Sequence, residues 1–125
     1  MEMLITNTYK MRNPTKEKLL KFGFTHNSSL SDYESGTDFY TLFFPLIKHN
    51  NKTTILGQID VELSTGEAFV NALNANIKTA YHQFYNSECQ EGYSYIIEKI
   101  NKSFNDMFEK LSISKIEYKE GDTVG

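Results

Sequence analysis

The sequence predicts a small α+β domain: an antiparallel sheet of three to five strands packed against one long C-terminal amphipathic helix, with a short N-terminal helix. Three observations predict it. Apolar residues from Cys89 to Leu111 recur at steps of three and four, hairpin-like segments precede them, and a capped apolar stretch lies near the start. At 125 residues the chain has the size of one domain, 1–125, with the ends at 1–12 and 119–125 expected to be mobile.

The first helix is expected over 14–22. Asn13-Pro14 opens it, because Asn caps free amides and Pro loses no bond at the first helical position. Gly23 suits the left-handed residue that ends a helix, and Phe24 would then return onto Leu19. The polar stretch 27–38 reads as a loop with one buried anchor at most, Leu30 or Tyr33. Residues 39–48 are aromatic and branched on both faces, as in a strand covered on two sides for part of its length, while Pro45 demands an edge or a bulge.

After a turn at 49–52 the next strand alternates. Ile55, Gly57, Ile59, Val61 and Leu63 face the core, and Leu56, Gln58, Asp60 and Glu62 face away. Ser64-Thr65-Gly66 suits a three-residue hairpin loop that pairs Leu63 with Glu67 and Val61 with Phe69, so Phe69 and Leu73 join the core face. Residues 74–86 carry no strong period and read as a loop with a short strand at 81–85. Ser87 to Gln90 match a capping box that starts the long helix at 88 and leaves Gly92 inside it. Its core stripe is Cys89, Tyr93, Ile96, Ile97, Ile100, Phe104, Met107, Phe108 and Leu111. Ser112 to Ser114 end it, and 115–119 alternate as a last strand.

The lone cysteine, Cys89, closes no intramolecular disulfide, no apolar run is long enough to span a membrane, and no cleavable leader pattern opens the sequence. A reducing cytoplasm is the expected setting. The net charge of −3 is uneven: residues 1–24 carry +3, residues 25–75 carry −4. An acidic middle disfavours broad attraction to nucleic acid or anionic lipid, although Lys10, Arg12, Lys16, Lys18 and Lys21 keep a local phosphate contact open. As ordinary structure, that cluster is a solvated helix face.

Chemistry is sparsely marked. Cys89 and His82 form the one candidate thiol pair, but Cys89 continues the apolar stripe, and Glu88 and Glu91 beside it would raise its pKa. His26, His49 and His82 lack metal-ligand spacing, and the glycines show no phosphate-binding pattern. No catalytic residue, metal or cofactor is therefore expected. The residues best placed to meet a partner are Asp60, Glu62 and Glu67, expected as an exposed acidic row beside Gln58, and the aromatics Tyr81, Phe84 and Tyr85.

The segments NPTKEKLLKFGF at 13–24, YTLFFPLIK at 40–48, DVELSTGE at 60–67 and FYNSE at 84–88 resemble small uncharacterised proteins encoded by phages and prophages of Firmicutes. The resemblance covers about residues 13–114 and carries no functional residues. It implies a mobile-element accessory protein in the host cytoplasm that acts by protein–protein binding, in the manner of anti-CRISPR inhibitors of a host defence nuclease or CRISPR effector. Such binding through an acidic and aromatic surface would weaken as salt rises. The alternatives are a small nucleic-acid binder using the N-terminal basic cluster, or a small enzyme using Cys89 and His82.

Overall fold

The computed structural model describes residues 7–32, 34–86 and 91–116. Its elements are β1 (Tyr9–Met11), α1 (Lys16–Phe22), β2 (Thr25–His26), β3 (Phe39–His49), β4 (Lys52–Glu62), β5 (Glu67–Asn74), α2 (Ser94–Leu111) and β6 (Ile113–Lys115), with 3-10 turns at His82–Tyr85 and Glu91–Tyr93. The strands form one antiparallel sheet in the order β2-β3-β4-β5-β1-β6, and α2 lies across its inner face, chiefly over β3. This is the α+β architecture expected. The sheet is wider than expected because the two ends of the described chain join it: Tyr9 lies opposite Lys115 and Met11 opposite Ile113. Tyr9 and Met11 are buried, so this part of the segment expected to be mobile is a sheet strand.

Local chemistry explains where the elements start and stop. α1 is capped by Thr15 rather than opened by Asn13-Pro14: Thr15 Oγ1 accepts from the Lys18 amide at 3.1 Å. Its other end follows the expected pattern. Gly23 is left-handed, its amide donates to the Leu19 and Leu20 carbonyls, and the Phe24 amide donates to Leu19 at 3.0 Å, which buries Leu19 and Phe24 together in the core. Pro45 sits opposite Leu56, and the β3–β4 register shifts immediately after it. β2 pairs with β3 only at Tyr40 and Thr41, so Pro45 lies on an open edge, where its missing N–H leaves no ladder bond unmade.

The β4–β5 hairpin departs from the expected register by one residue. Val61 pairs with Ala68 and Asp60 with Phe69, because Leu63 belongs to the turn and donates its amide to Asp38 O at 2.8 Å. A slip of one residue exchanges the two faces of a strand. Ala68, Val70 and Ala72 therefore point inward, while Phe69 and Leu73 point outward instead of joining the core. Gly66 takes the left-handed conformation expected of it.

Residues 75–85 form no strand at 81–85. They run as a strap along the part of β5 that β1 leaves unpaired: Leu73 bridges Ala80, and the Tyr81 amide donates to Ala72 O at 2.9 Å. The strap then closes in the His82–Tyr85 turn, which inserts Phe84 into the core. α2 begins at Ser94, with Gly92 in the 3-10 turn before it, consistent with the low helix propensity of glycine. Cys89 and the Ser87 to Gln90 capping box lie outside the described residues. Tyr93 is exposed, so the buried stripe is Ile97, Ile100, Phe104, Phe108 and Leu111, and Ser112 closes the helix in the left-handed region.

The core lies between α2 and the inner faces of β3, β4 and β5. Phe104 is its centre, edge-on to Phe44 at 5.4 Å between ring centroids and packed on Phe84 and Phe108. Phe44 can lie flat over the strands because Gly57 is beneath it. A Cβ at Gly57 would stand 2.9 Å from two Phe44 ring carbons and 3.0 Å from Leu46 Cγ. No helix among the described residues is long and apolar enough to cross a membrane.

Candidate protein-binding face

Among the described residues no helix covers the outer face of the sheet. Strand alternation places Phe39, Thr41, Phe43 and Pro45 there from β3, Leu56, Gln58, Asp60 and Glu62 from β4, and Glu67, Phe69, Asn71 and Leu73 from β5. Asp60 and Glu62 do point away from the core, as expected, yet they form no exposed row. They are only 4% and 5% exposed. The rings of Phe39 and Phe69 explain why. These residues lie on the strands flanking β4, roughly 9.6 Å apart by two strand spacings, yet their ring centroids are 6.1 Å apart, so the rings lean together across β4 at the level of the two carboxylates.

Both carboxylates are engaged from within. Asp60 accepts from Thr41 Oγ1 at 2.6 Å and from Gln58 Nε2 at 3.0 Å, and Thr41 in turn accepts from Asn27 Nδ2 at 2.9 Å. Glu62 takes hydrogen bonds from Ser64 Oγ at 2.6 Å and from the Thr65 amide and hydroxyl, each at 2.7 Å, with the Asp38 amide at 3.4 Å. Burial pushes the Glu62 carboxyl up, but these donors outweigh it and hold the group down at about 2, against an ordinary 4.5. Glu62 is thus the anchor of the β4–β5 turn. Glu67 alone of the predicted acids is exposed.

The predicted aromatics serve the strap. Phe84 is buried against Phe104, and Tyr81 is half-buried at the core margin. The Tyr85 hydroxyl donates to Asn71 Oδ1 at 3.0 Å and accepts from the Ala72 amide at 3.2 Å, satisfying a β5 edge group. Burial pushes the Tyr85 phenol up, partly opposed by its bond with the Ala72 backbone. The residues that do stand out on this face are Phe43 and Phe69, 48% and 46% exposed, beside half-buried Leu56 and Leu73. Neither phenylalanine was marked by the sequence pattern. The expectation that 39–48 is covered on two sides for part of its length assigns Phe43 to no open face, and the expected register, different by one residue, turns Phe69 inward.

One cluster imitates a catalytic triad. His26 Nε2 lies 2.7 Å from Asp38 Oδ1 and 3.4 Å from Ser31 Oγ, beside a cavity of about 510 Å³ that Lys16 and Tyr40 also line. A working triad uses opposite ring nitrogens for its acid and its nucleophile, whereas here one nitrogen meets both. Ser31 Oγ is also tied to the loop, donating to Asn27 O at 2.8 Å and accepting from the Phe39 amide at 3.0 Å. The cluster closes the 27–38 loop. His82 is exposed on its turn, and its proposed partner Cys89 lies outside the described residues. Among the described residues no three His, Cys, Asp or Glu side chains gather to hold a metal ion.

No family model and no curated protein matches the chain. Among solved structures it is similar to a DUF1831 family protein from Lactobacillus plantarum, with 13% identity, 89% of each chain covered and a TM-score of 0.53. At that identity the likeness shows the fold alone.

Proposed function

We propose that this protein is a binding module that docks a partner protein on the outer face of its sheet, with Phe43 and Phe69 as anchors. One observation carries the reading: two phenylalanines stand about half exposed on a face where Thr41, Gln58 and Asp60 are hydrogen-bonded to one another and Glu62 is held by the Ser64-Thr65 turn. An antiparallel sheet with one wet face ordinarily presents polar side chains there, and grouped exposed aromatics mark interaction surfaces. The matching partner presents a flat, apolar surface. A host defence nuclease met in the host cytoplasm is the partner that the phage-protein resemblance implies. Inhibition would then run through the aromatic part of the surface, since the Asp60 and Glu62 carboxylates are engaged internally.

The test is capture from host extract with the wild-type protein and a Phe43→Ser/Phe69→Ser variant. The expected result is a partner retained by the wild type and weakened at least about tenfold by the variant, equivalent to 1.4 kcal/mol. Retention of every captured protein by the variant at wild-type affinity would refute the face.

A further inference from the structure

At the β2 edge of the sheet one concavity holds charges of both signs that do not close on each other. Lys16 and Leu20 reach it from α1, His26 from β2, Asp32 and Asp38 from the 27–38 loop, and Tyr40 from β3, around a cavity of about 510 Å³. A two-way backbone bridge shapes the loop: the Asp32 amide donates to Thr37 O at 3.1 Å, and the Thr37 amide to Asp32 O at 3.0 Å. Each aspartate commits one carboxylate oxygen to that framework. Asp32 Oδ1 accepts from the Glu34 amide at 3.0 Å, and Asp38 Oδ1 meets His26 Nε2 at 2.7 Å. Among the described residues nothing hydrogen-bonds the second oxygen of either aspartate, and the Lys16 ammonium makes no ion pair. Tyr40 is only 3% exposed, its ring stands edge-on to His26, and no described residue hydrogen-bonds its hydroxyl. That hydroxyl is not sealed in the interior, as Gln83 Oε1 and Asn101 Oδ1 are, and it opens where Tyr40 lines the cavity. A buried phenol ordinarily finds a hydrogen-bond partner, so this one leaves a contact to whatever fills the site.

We propose that this cavity binds a small zwitterion, a free amino acid with an aliphatic side chain. A lone cation would leave Lys16 unmatched, and a lone anion would face the two aspartates, whereas one molecule with an ammonium and a carboxylate complements both signs. The ammonium meets the second oxygens of Asp32 and Asp38. The carboxylate meets Lys16 and accepts from the Tyr40 hydroxyl, and the aliphatic part lies along half-exposed Leu20. The volume lies in the roughly 300–1,000 Å³ range of small-molecule sites. His26 and Ser31 then brace the loop and fix Asp38 rather than perform chemistry. Tyr40 points to the opposite side of the sheet from Phe43 and Phe69, so this site stands or falls separately from the protein-binding face.

Calorimetric titration with leucine, isoamylamine and isocaproate tests the assignment, since the amine lacks only the carboxylate of leucine and isocaproate lacks only its ammonium. Leucine is expected to bind at least about tenfold more tightly than either. Tyr40→Phe removes the hydroxyl and keeps the buried ring. This variant and Lys16→Gln should each weaken leucine at least about threefold, and Asp32→Asn should do the same from the other end of the ligand, while Lys99→Gln on the exposed face of α2 changes nothing. Circular dichroism of each variant keeps loss of fold distinct from loss of binding. Absence of leucine binding, or wild-type affinity in both Tyr40→Phe and Lys16→Gln, would overturn the proposal. So would isoamylamine or isocaproate binding as tightly as leucine, which would identify a simple cation or anion site.

Discussion

Glu62 shows how one side chain can be read correctly in direction and wrongly in role. Alternation alone turned it away from the core, but whether a carboxylate on that face is wet depends on Phe39, Phe69 and the Ser64-Thr65 turn, which meet only in three dimensions. Its depressed pKa makes it a stabilising group whose contribution is complete above its ordinary value of 4.5 and is lost as pH falls towards about 2. The implied contribution is about 3 kcal/mol at most, since each pKa unit corresponds to about 1.4 kcal/mol. Glu62→Gln should therefore lower stability at neutral pH by about 2 kcal/mol and flatten the loss of stability between pH 4.5 and about 2. Urea denaturation across that range measures both. An unchanged acid limb would show that Glu62 does not anchor the turn.

At the scale of elements, what could be read from sequence was what depends on near neighbours. The Gly23 and Phe24 helix end, the Pro45 edge and the stripe from Ile97 to Leu111 follow from caps, dihedrals and periodicity, and all three are present. The β4–β5 register was missed because Leu63, apolar and in phase with β4, is drawn into the turn by its bond to Asp38. The strap was missed because its order comes from β5 backbone groups and from Phe84 finding Phe104, not from any period of its own. The site suffered most, since Phe69 lay on the wrong side of that register and Tyr85 is engaged by Asn71. Gly57 is the strand position most sensitive to packing. Gly57→Ala should destabilise by about 1–3 kcal/mol, because Phe44 and Leu46 must both move. Combining it with Phe44→Leu should recover part of that loss in thermal or urea denaturation, and strict additivity would mean that the two positions do not press on one another.

For the whole molecule, the acidic composition and the proposed contact now point to different behaviour. An exposed carboxylate row would have made partner binding fall steeply with salt, whereas a face whose Asp60 and Glu62 carboxylates are enclosed and whose proposed anchors are Phe43 and Phe69 should bind almost independently of it. Partner affinity measured between low and high salt is expected to change by less than about threefold, corresponding to under about 1 kcal/mol. A steep decline would return the contact to charge, with Glu67 the exposed acid nearest the turn. Changing Phe43 and Phe69 together to Ser should leave the melting temperature nearly unaltered, because neither side chain belongs to the inner core.

The pairing of β1 with β6 also sets an order of events during synthesis. Tyr9 meets its partner Lys115 only after nearly all of the described chain has left the ribosome, and until then β1 has a neighbour on its β5 side alone. A nascent chain halted before Ile113 would present β1 without its β6 partner, with Met11 uncovered on that flank. Completion of the fold is therefore a late, end-to-end closure. Ribosome-stalled chains ending at residue 112 should remain protease-sensitive at β1, and those extended far enough to expose Lys115 outside the exit tunnel should become protected in a single step.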